Sequence, residues 1–451
     1  MSMTTSIIAA SQVRLSPNQL GISQLESSSA NPASIDTANR LLQKNHDENH
    51  VFWRDLNGHN HMAHCLLTIL AMGANPSQLQ EAYSYNPKQR PLPTLDNQVV
   101  KDLYDEDKFY EHLHQMSDYT NYLTFFETQI ESKGWRAVIQ EFAFSRTRNA
   151  DAILAGLYEG AYHPIIHLGL GIEFEQPSII AEGLAQAATH SSAHIDHFLF
   201  SSEKEAMSMP APQPPKLLID LLEEVRQNDT IRTAPRWTDF ANKVRDGIIG
   251  RAGPEIAQLA SQFRVEPSSI EQRMAEMISN CAYTAGAAQR EGKPYKIDFF
   301  HMHDVTSSIF LTVLVRQDWI DIATKVRLVE WKGRLDMVWY AASGSAKLDA
   351  KFINEYKGGP SEAWGWEKLY EAINSLHDDG HVAKFVRAIK NGEDVCKPFE
   401  QGGRVAAYPV KGNMWLQVAK MAYDTTSNLS PEGKWIWATG FDQPWDQVPD
   451  L

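Results

Sequence analysis

Three histidines, His59, His61 and His64, fall within six residues of the stretch Asn57–Leu67, and an apolar run follows at once. Imidazoles packed this closely at the mouth of a buried helix are costly unless each has a partner. A metal ion is the partner that holds several of them together. Further along, His163 and His167 stand four residues apart in an apolar segment, and so do His377 and His381. That spacing puts both rings of a pair on one helix face, within reach of one ion. His301 and His303 flank Met302 at the start of another apolar run. One HxxxH pair is weak evidence, because a lone histidine on an apolar face is more often a hydrogen-bonded core residue. Four histidine-bearing helices together are a stronger signal. His190, His194 and His197 form a further stripe in a polar stretch, a weaker second site. His46, His50, His112 and His114 have polar neighbours and read as surface residues.

An oxygen-activating iron normally keeps one anionic ligand beside its histidines. Asp304, Asp378, Asp379 and Glu173 are the nearby carboxylates, and the turn before Gly380 is the plainer use of Asp378 and Asp379. Lys384 is the odder residue, on the His381 face where an ammonium beside a metal is repelled. A buried lysine can lose its proton. The neutral amine can then take up carbon dioxide and become a carbamate, an anionic oxygen ligand. The alternative is a lysine that snorkels to solvent.

The elements that must carry these residues read as helices almost throughout. Residues 1–40 are expected to form a loosely ordered lead-in, and 36–45 a first helix capped by Asp36 or Thr37. The opening stretch runs into a helix that ends at Gly73, before Pro76. Residues 107–134, 151–174 and 177–200 carry helical patterns. Pro164 should kink or restart the second of these and release the carbonyl of Gly160. The four prolines of 207–216 mark a surface connection. Helical patterns resume over 267–289, 299–317, 318–342 and 364–391, and the Trp-rich end is irregular. The expected fold is all-α, mainly a large helical bundle over 41–451 as a single domain, with the metal between facing helices.

Composition limits the function classes. A net charge of −14 disfavours nucleic acid, which needs a basic face. Three separated cysteines, Cys65, Cys281 and Cys396, exclude a disulfide framework and a CxxC zinc site. No apolar run is long enough to span a bilayer, and the N-terminal residues lack a basic leader, so a cytoplasmic enzyme is expected. Gly169-Leu170-Gly171 lacks the third glycine and the preceding strand of a dinucleotide site. NADPH therefore stays open only as an external reductant.

The segments HNHMAHCLLTILAMGA at 59–74, YHPIIHLGLGIE at 162–173 and AEGLAQA at 181–187 resemble the questin oxidase-like family of oxidoreductases. FFHMHDVTSS at 299–308 and HDDGHVAKFVRAI at 377–389 complete the likeness, in family order. The resemblance implies oxidative cleavage of aromatic polyketides such as anthraquinones in secondary metabolism, including Baeyer–Villiger-type, NADPH-linked oxidation. It also implies a non-haem Fe(II) centre of four histidines and a carboxylated lysine. On that pattern Lys384 matches the lysine and His381 the histidine of the HxxK motif, and His303 the histidine before the V-T-S segment. The other ligands come from His61 or His64 and from His163 or His167. Dioxygen is the co-substrate, a small aromatic polyketide the partner, and an unligated His64 or His163 the proton carrier. A metal-dependent hydrolase and a non-catalytic helical binding protein are the alternatives.

Overall fold

The computed structural model describes residues 9–26, 31–54, 58–86, 89–210, 214–376, 378–401 and 405–451. Asn57, His377 and part of the Pro-rich segment lie outside them. The fold is all-α: among the described residues the one sheet is a two-stranded ribbon, Phe52–Arg54 against Gly58–His59. No described helix is long and apolar enough to cross a membrane. The chain forms two compact units, residues 1–192 with 377–381, and residues 193–376 with 382–451. Pro210 and Pro214 both belong to the second unit.

The first unit is built on the helix Pro177–Thr189, every residue of which is buried. It packs on the helices Glu159–Glu173, Tyr119–Lys133 and Arg148–Gly156. Its sequence, PSIIAEGLAQAAT, explains this: small residues let three neighbours approach closely on different sides. A Cβ on Gly183 would lie 2.7 Å from both the Cα and N of Leu168. A Cβ on Gly171 would lie 2.7 Å from the Ile180 nitrogen, so this glycine lets the two helices pack closely. Gly183→Ala is therefore expected to destabilise the fold. The methyl improves helix propensity by roughly 1 kcal/mol. Forcing two backbones apart in a packed core costs about 1–3 kcal/mol, and both partners here are main chain. A lowered urea midpoint with an unchanged slope is the expected result.

The first helix spans Pro32–Glu48 and is capped by Asn31, whose side chain accepts from the Ser34 nitrogen. The sequence reading started it later, at Asp36 or Thr37; proline at its first position and the Asn31 cap move the start upstream. Its buried stripe of Ile35, Ala38, Leu41, Leu42, Asn45 and His46 follows helical spacing. The lead-in before it has little regular structure but is tied down. Ile22 N donates to Glu173 Oε1 at 2.7 Å and Arg14 N to Gln176 Oε1 at 2.8 Å.

Two expected helices are broken. The 107–134 pattern divides into Glu106–Glu111 and Tyr119–Lys133, with His114 at φ 65° between them. The 177–200 pattern stops at Thr189 and resumes at Ile195, with His194 at φ 63°. Left-handed residues end the hydrogen-bond ladder wherever they occur. His190 and His194 consequently do not share a helix face, and the expected stripe dissolves. His190 is buried in the first unit, whereas His194, Asp196 and His197 form an exposed local group in the second.

The second unit centres on the helices Ile270–Ala287, Phe299–Val315 and Ile322–Ala342, packed against one another. Asp298 begins the middle one. One of its oxygens caps Phe300 N at 2.8 Å and the other accepts Thr439 N at 2.8 Å, which fastens the Trp-rich tail to this helix start.

Candidate metal centre

Three segments of the first unit converge on one point. The helix Met62–Ala71 places His61 at its N-terminal cap position. The helix Glu159–Glu173 brings His163, and the turn 378–380 delivers His381. Each of the three histidines is buried and offers one ring nitrogen, all within 4.8 Å of one another.

Local backbone chemistry creates this arrangement. Gly160, Ala161 and Tyr162 sit at φ 55°, 53° and 66°, interrupting the helix just before Pro164. Proline has no N–H for the Gly160 carbonyl. That carbonyl instead accepts His163 Nδ1 at 2.5 Å. At the third segment, Asp378 Oδ1 accepts Gly380 N at 2.7 Å, the turn role its sequence suggested. Gly380 has φ +87°, and a Cβ there would meet Cys65 Cβ at 2.8 Å. Only glycine lets this turn lie against the helix of His61.

Asp379 holds the other two rings. Its Oδ1 lies 2.5 Å from His381 Nδ1, and its Oδ2 lies 3.4 Å from His61 Nδ1. Protons on the three Nδ1 atoms, toward Asp379 and Gly160, leave a lone pair on each Nε2. His61 Nε2 and His163 Nε2 then face each other at 2.8 Å. Two lone pairs at that distance repel unless a proton or cation lies between them. Ligands at roughly 2.0–2.1 Å from one metal sit about 3 Å apart when adjacent. An acceptor behind each ligating ring is the usual outer support of a metal-bound histidine. The donor set fits a divalent transition metal.

The other histidines have different work. His167 uses both nitrogens elsewhere, Nδ1 toward His64 Nε2 at 3.2 Å and Nε2 toward Glu182 Oε2 at 2.6 Å. The ring of His64 lies beside the trio, its centroid 5.7 Å from His61 and 6.0 Å from His163. His59 stacks flat on His163 at 3.8 Å and meets His190 Nε2 at 2.9 Å. Burial lowers His190 to about 4, despite its bond to the Ser191 carbonyl, so it is neutral. His46 and His50, expected on the surface, are buried. His46 bridges Glu182 Oε1 at 2.6 Å and Glu127 Oε1 at 2.9 Å, and His50 stacks on Tyr119 at 4.9 Å. Of the polar residues beside them, Asp47 and Glu48 are exposed, whereas Asn45 and Asn49 are buried with them.

His303 and Lys384 are buried residues of the second unit. His303 Nδ1 donates to the Phe299 carbonyl at 2.8 Å, which leaves Nε2 as the nitrogen for any metal. The helices carrying them run side by side in one direction. Phe385 touches Trp435, and the next residue, Ile436, accepts Phe299 N at 2.8 Å. Further along both helices, Asn391 Nδ2 donates to Thr312 Oγ1 at 3.0 Å. Lys384 stands about two turns before Asn391 and His303 about two and a half before Thr312, so they lie at one level. Of the other carboxylates considered, Glu173 accepts Ile22 N and Asp304 pairs with His301 at 3.2 Å.

A model of the questin oxidase-like family matches residues 58–389, a span that contains every histidine of the trio. A Baeyer–Villiger monooxygenase of a Cryptosporiopsis species is 52% identical over 447 residues, 98% of this chain and 100% of its own. A Baeyer–Villiger oxidase of Pestalotiopsis fici is 54% identical over 444 residues, 98% and 99% of the two chains. The chain belongs to the questin oxidase-like family. The questin oxidase of Aspergillus fumigatus is 48% identical over 445 residues, 98% and 99% of the two chains. Like its family, the chain is an oxidative enzyme, and the hydrolase and binding-protein alternatives fall away. Two residues of this questin oxidase-like chain have roles that its sequence does not give. Sequence puts Asp379 near the histidines with a turn as its plainer use, and Glu182 only within the AEGLAQA run. Glu182 is the sole charge in a wholly buried helix, and that was the signal.

Proposed function

We propose that the chain is an oxygenase that cleaves a C–C bond in an aromatic polyketide ring of anthraquinone type. Its cofactor is a mononuclear non-haem Fe(II), dioxygen is the co-substrate, and the pathway is secondary-metabolite biosynthesis. The observation that carries this reading is the trio of His61, His163 and His381, three buried histidines with their ring nitrogens converged. His303 and a carboxylated Lys384 enter as further ligands on the family resemblance alone. Bound there, ferrous iron supplies the activation of dioxygen. Everything else is the work of this chain's own residues. Asp379 and the Gly160 carbonyl hold three rings in the ligating tautomer. His59, stacked on His163, covers one face of that ring against water. His64 borders the trio without joining it, and takes the phenolic proton of a hydroxylated substrate.

Relatives named as Baeyer–Villiger oxidases favour one variant, oxygen insertion beside a ring carbonyl with NADPH as reductant. One experiment addresses both. The purified chain, reconstituted anaerobically with Fe(II), is expected to hold one iron per chain. It is then expected to consume oxygen with a hydroxylated anthraquinone, assayed with and without NADPH. Absence of stoichiometric iron after reconstitution overturns the iron reading. Oxygen uptake only with NADPH selects the reductant-linked variant.

A further inference from the structure

Behind the trio, five side chains of the first unit form an unbroken hydrogen-bonded line. His64 Nε2 meets His167 Nδ1 at 3.2 Å, and His167 Nε2 meets Glu182 Oε2 at 2.6 Å. Glu182 Oε1 meets His46 Nδ1 at 2.6 Å, and His46 Nε2 meets Glu127 Oε1 at 2.9 Å. The line links five helices and passes from buried to partly exposed. The side chains of His46 and Glu182 are 4% and 5% exposed, that of Glu127 19%. A buried carboxylate and a buried imidazolium are costly unless fully paired. His167 and Glu127 complete the pairing of Glu182 and His46, and the same two bonds carry the line inward to His64 and outward to the surface.

We propose that His64, His167, Glu182, His46 and Glu127 form a proton outlet leading from the reaction centre to the protein surface. The proposal rests on the reading of the trio as that centre. The proton count balances. At rest Glu182 is a carboxylate and His46 an imidazolium. His64 passes its Nε2 proton to His167 Nδ1, and His167 passes its Nε2 proton to Glu182 Oε2. His46 passes its own Nε2 proton to Glu127, which releases it to water. One proton has entered the line and another has left. The Glu182–His46 ion pair has become a neutral pair, so no net charge is stranded in the core. The charge state at rest agrees with the surroundings. Burial acts to lower His46, but its hydrogen bonds to Glu127 and Glu182 outweigh that and raise it to about 10. Tyr119 also faces both glutamates and stays protonated, since burial raises it well above its ordinary value. A ring-cleaving oxidation that begins with a phenol has to dispose of a proton, and His64, beside the trio, is wholly buried. This line gives that proton a route from buried His64 to the partly exposed Glu127.

The test uses the full-length chain and Glu127→Gln, a change at the half-buried outer end. Nitrogen-15 histidine NMR reads the exchange of the His46 and His167 N–H protons with solvent. Exchange is expected to slow by about tenfold or more in E127Q, and Glu127→Asp to recover most of it. With iron and substrate, E127Q is expected to keep its iron, turn over more slowly and show a larger solvent deuterium isotope effect. Unchanged or faster exchange in E127Q overturns the outlet. If the wild-type chain consumes no oxygen, the reading of the centre fails by itself, while the exchange measurement still decides the outlet.

Discussion

His163→Ala is expected to abolish stoichiometric iron binding and, with it, oxygen uptake. His163 is one of three nitrogens within 4.8 Å, and its tautomer is fixed by the Gly160 carbonyl. Losing an outer support of a ligating histidine costs about 10–100-fold in metal affinity, and losing the ligand itself costs more. The fold should survive, because removing one of three facing lone pairs relieves repulsion in the metal-free chain, although His59 loses the ring it stacks on. His167→Ala, four residues along the same helix, should show the reverse pattern. It should keep its iron but lower the urea midpoint, because Glu182 loses one of its two imidazole partners. Elemental analysis and urea titration of the two variants separate the roles. Equal iron loss in both would place His167 in the ligand set and break the assignment made from its two occupied nitrogens.

That pair shows what the sequence could and could not tell. Helical spacing correctly put His163 and His167 on one helix, and the same reasoning found the helices of His61 and His303. Choosing between His163 and His167 required knowing what stands behind each ring. For His163 it is a carbonyl released by the left-handed break at Gly160–Tyr162, of which Pro164 gave notice. For His167 it is Glu182, a residue of another helix, and no spacing rule connects the two. Likewise Asp379 sits in a turn whose glycine explains itself locally, yet its two oxygens serve two histidines from distant parts of the chain. His46 departs from its sequence expectation for the opposite reason. Asn45, Asp47 and Glu48 made its neighbourhood look polar, while its register with Ile35, Ala38 and Leu42 pointed it inward. The all-α class was legible because helical periodicity is a local signal. The breaks at His114 and His194 were not, since non-glycine residues in left-handed conformations are held there by tertiary contacts such as His114 Nδ1 to the His190 carbonyl at 2.9 Å.

Glu182→Gln is expected to give the largest loss of stability, about 3–5 kcal/mol, the usual cost of removing one member of a buried ion pair. The change is nearly isosteric, so the loss reports charge and not volume. The size of the loss should depend on pH in a way that identifies the pair. Burial acts to raise Glu182, but hydrogen bonds from His167 and His46 outweigh it and bring the carboxyl down to about 2 from 4.5. A carboxyl depressed on folding stabilises the fold above its unfolded value and loses that contribution as pH falls through 4.5 toward 2. His46 is raised from 6.5 to about 10, so its contribution is complete below 6.5 and fades as pH climbs toward 10. These are two views of one interaction and do not add. Together they predict that the gap between wild type and E182Q is widest from pH 4.5 to 6.5 and narrows on both sides. Urea midpoints across that range measure it directly. A gap that stays constant with pH would mean that Glu182 is neutral in the fold, and the ionic resting state of the line from His64 to Glu127 would fall with it.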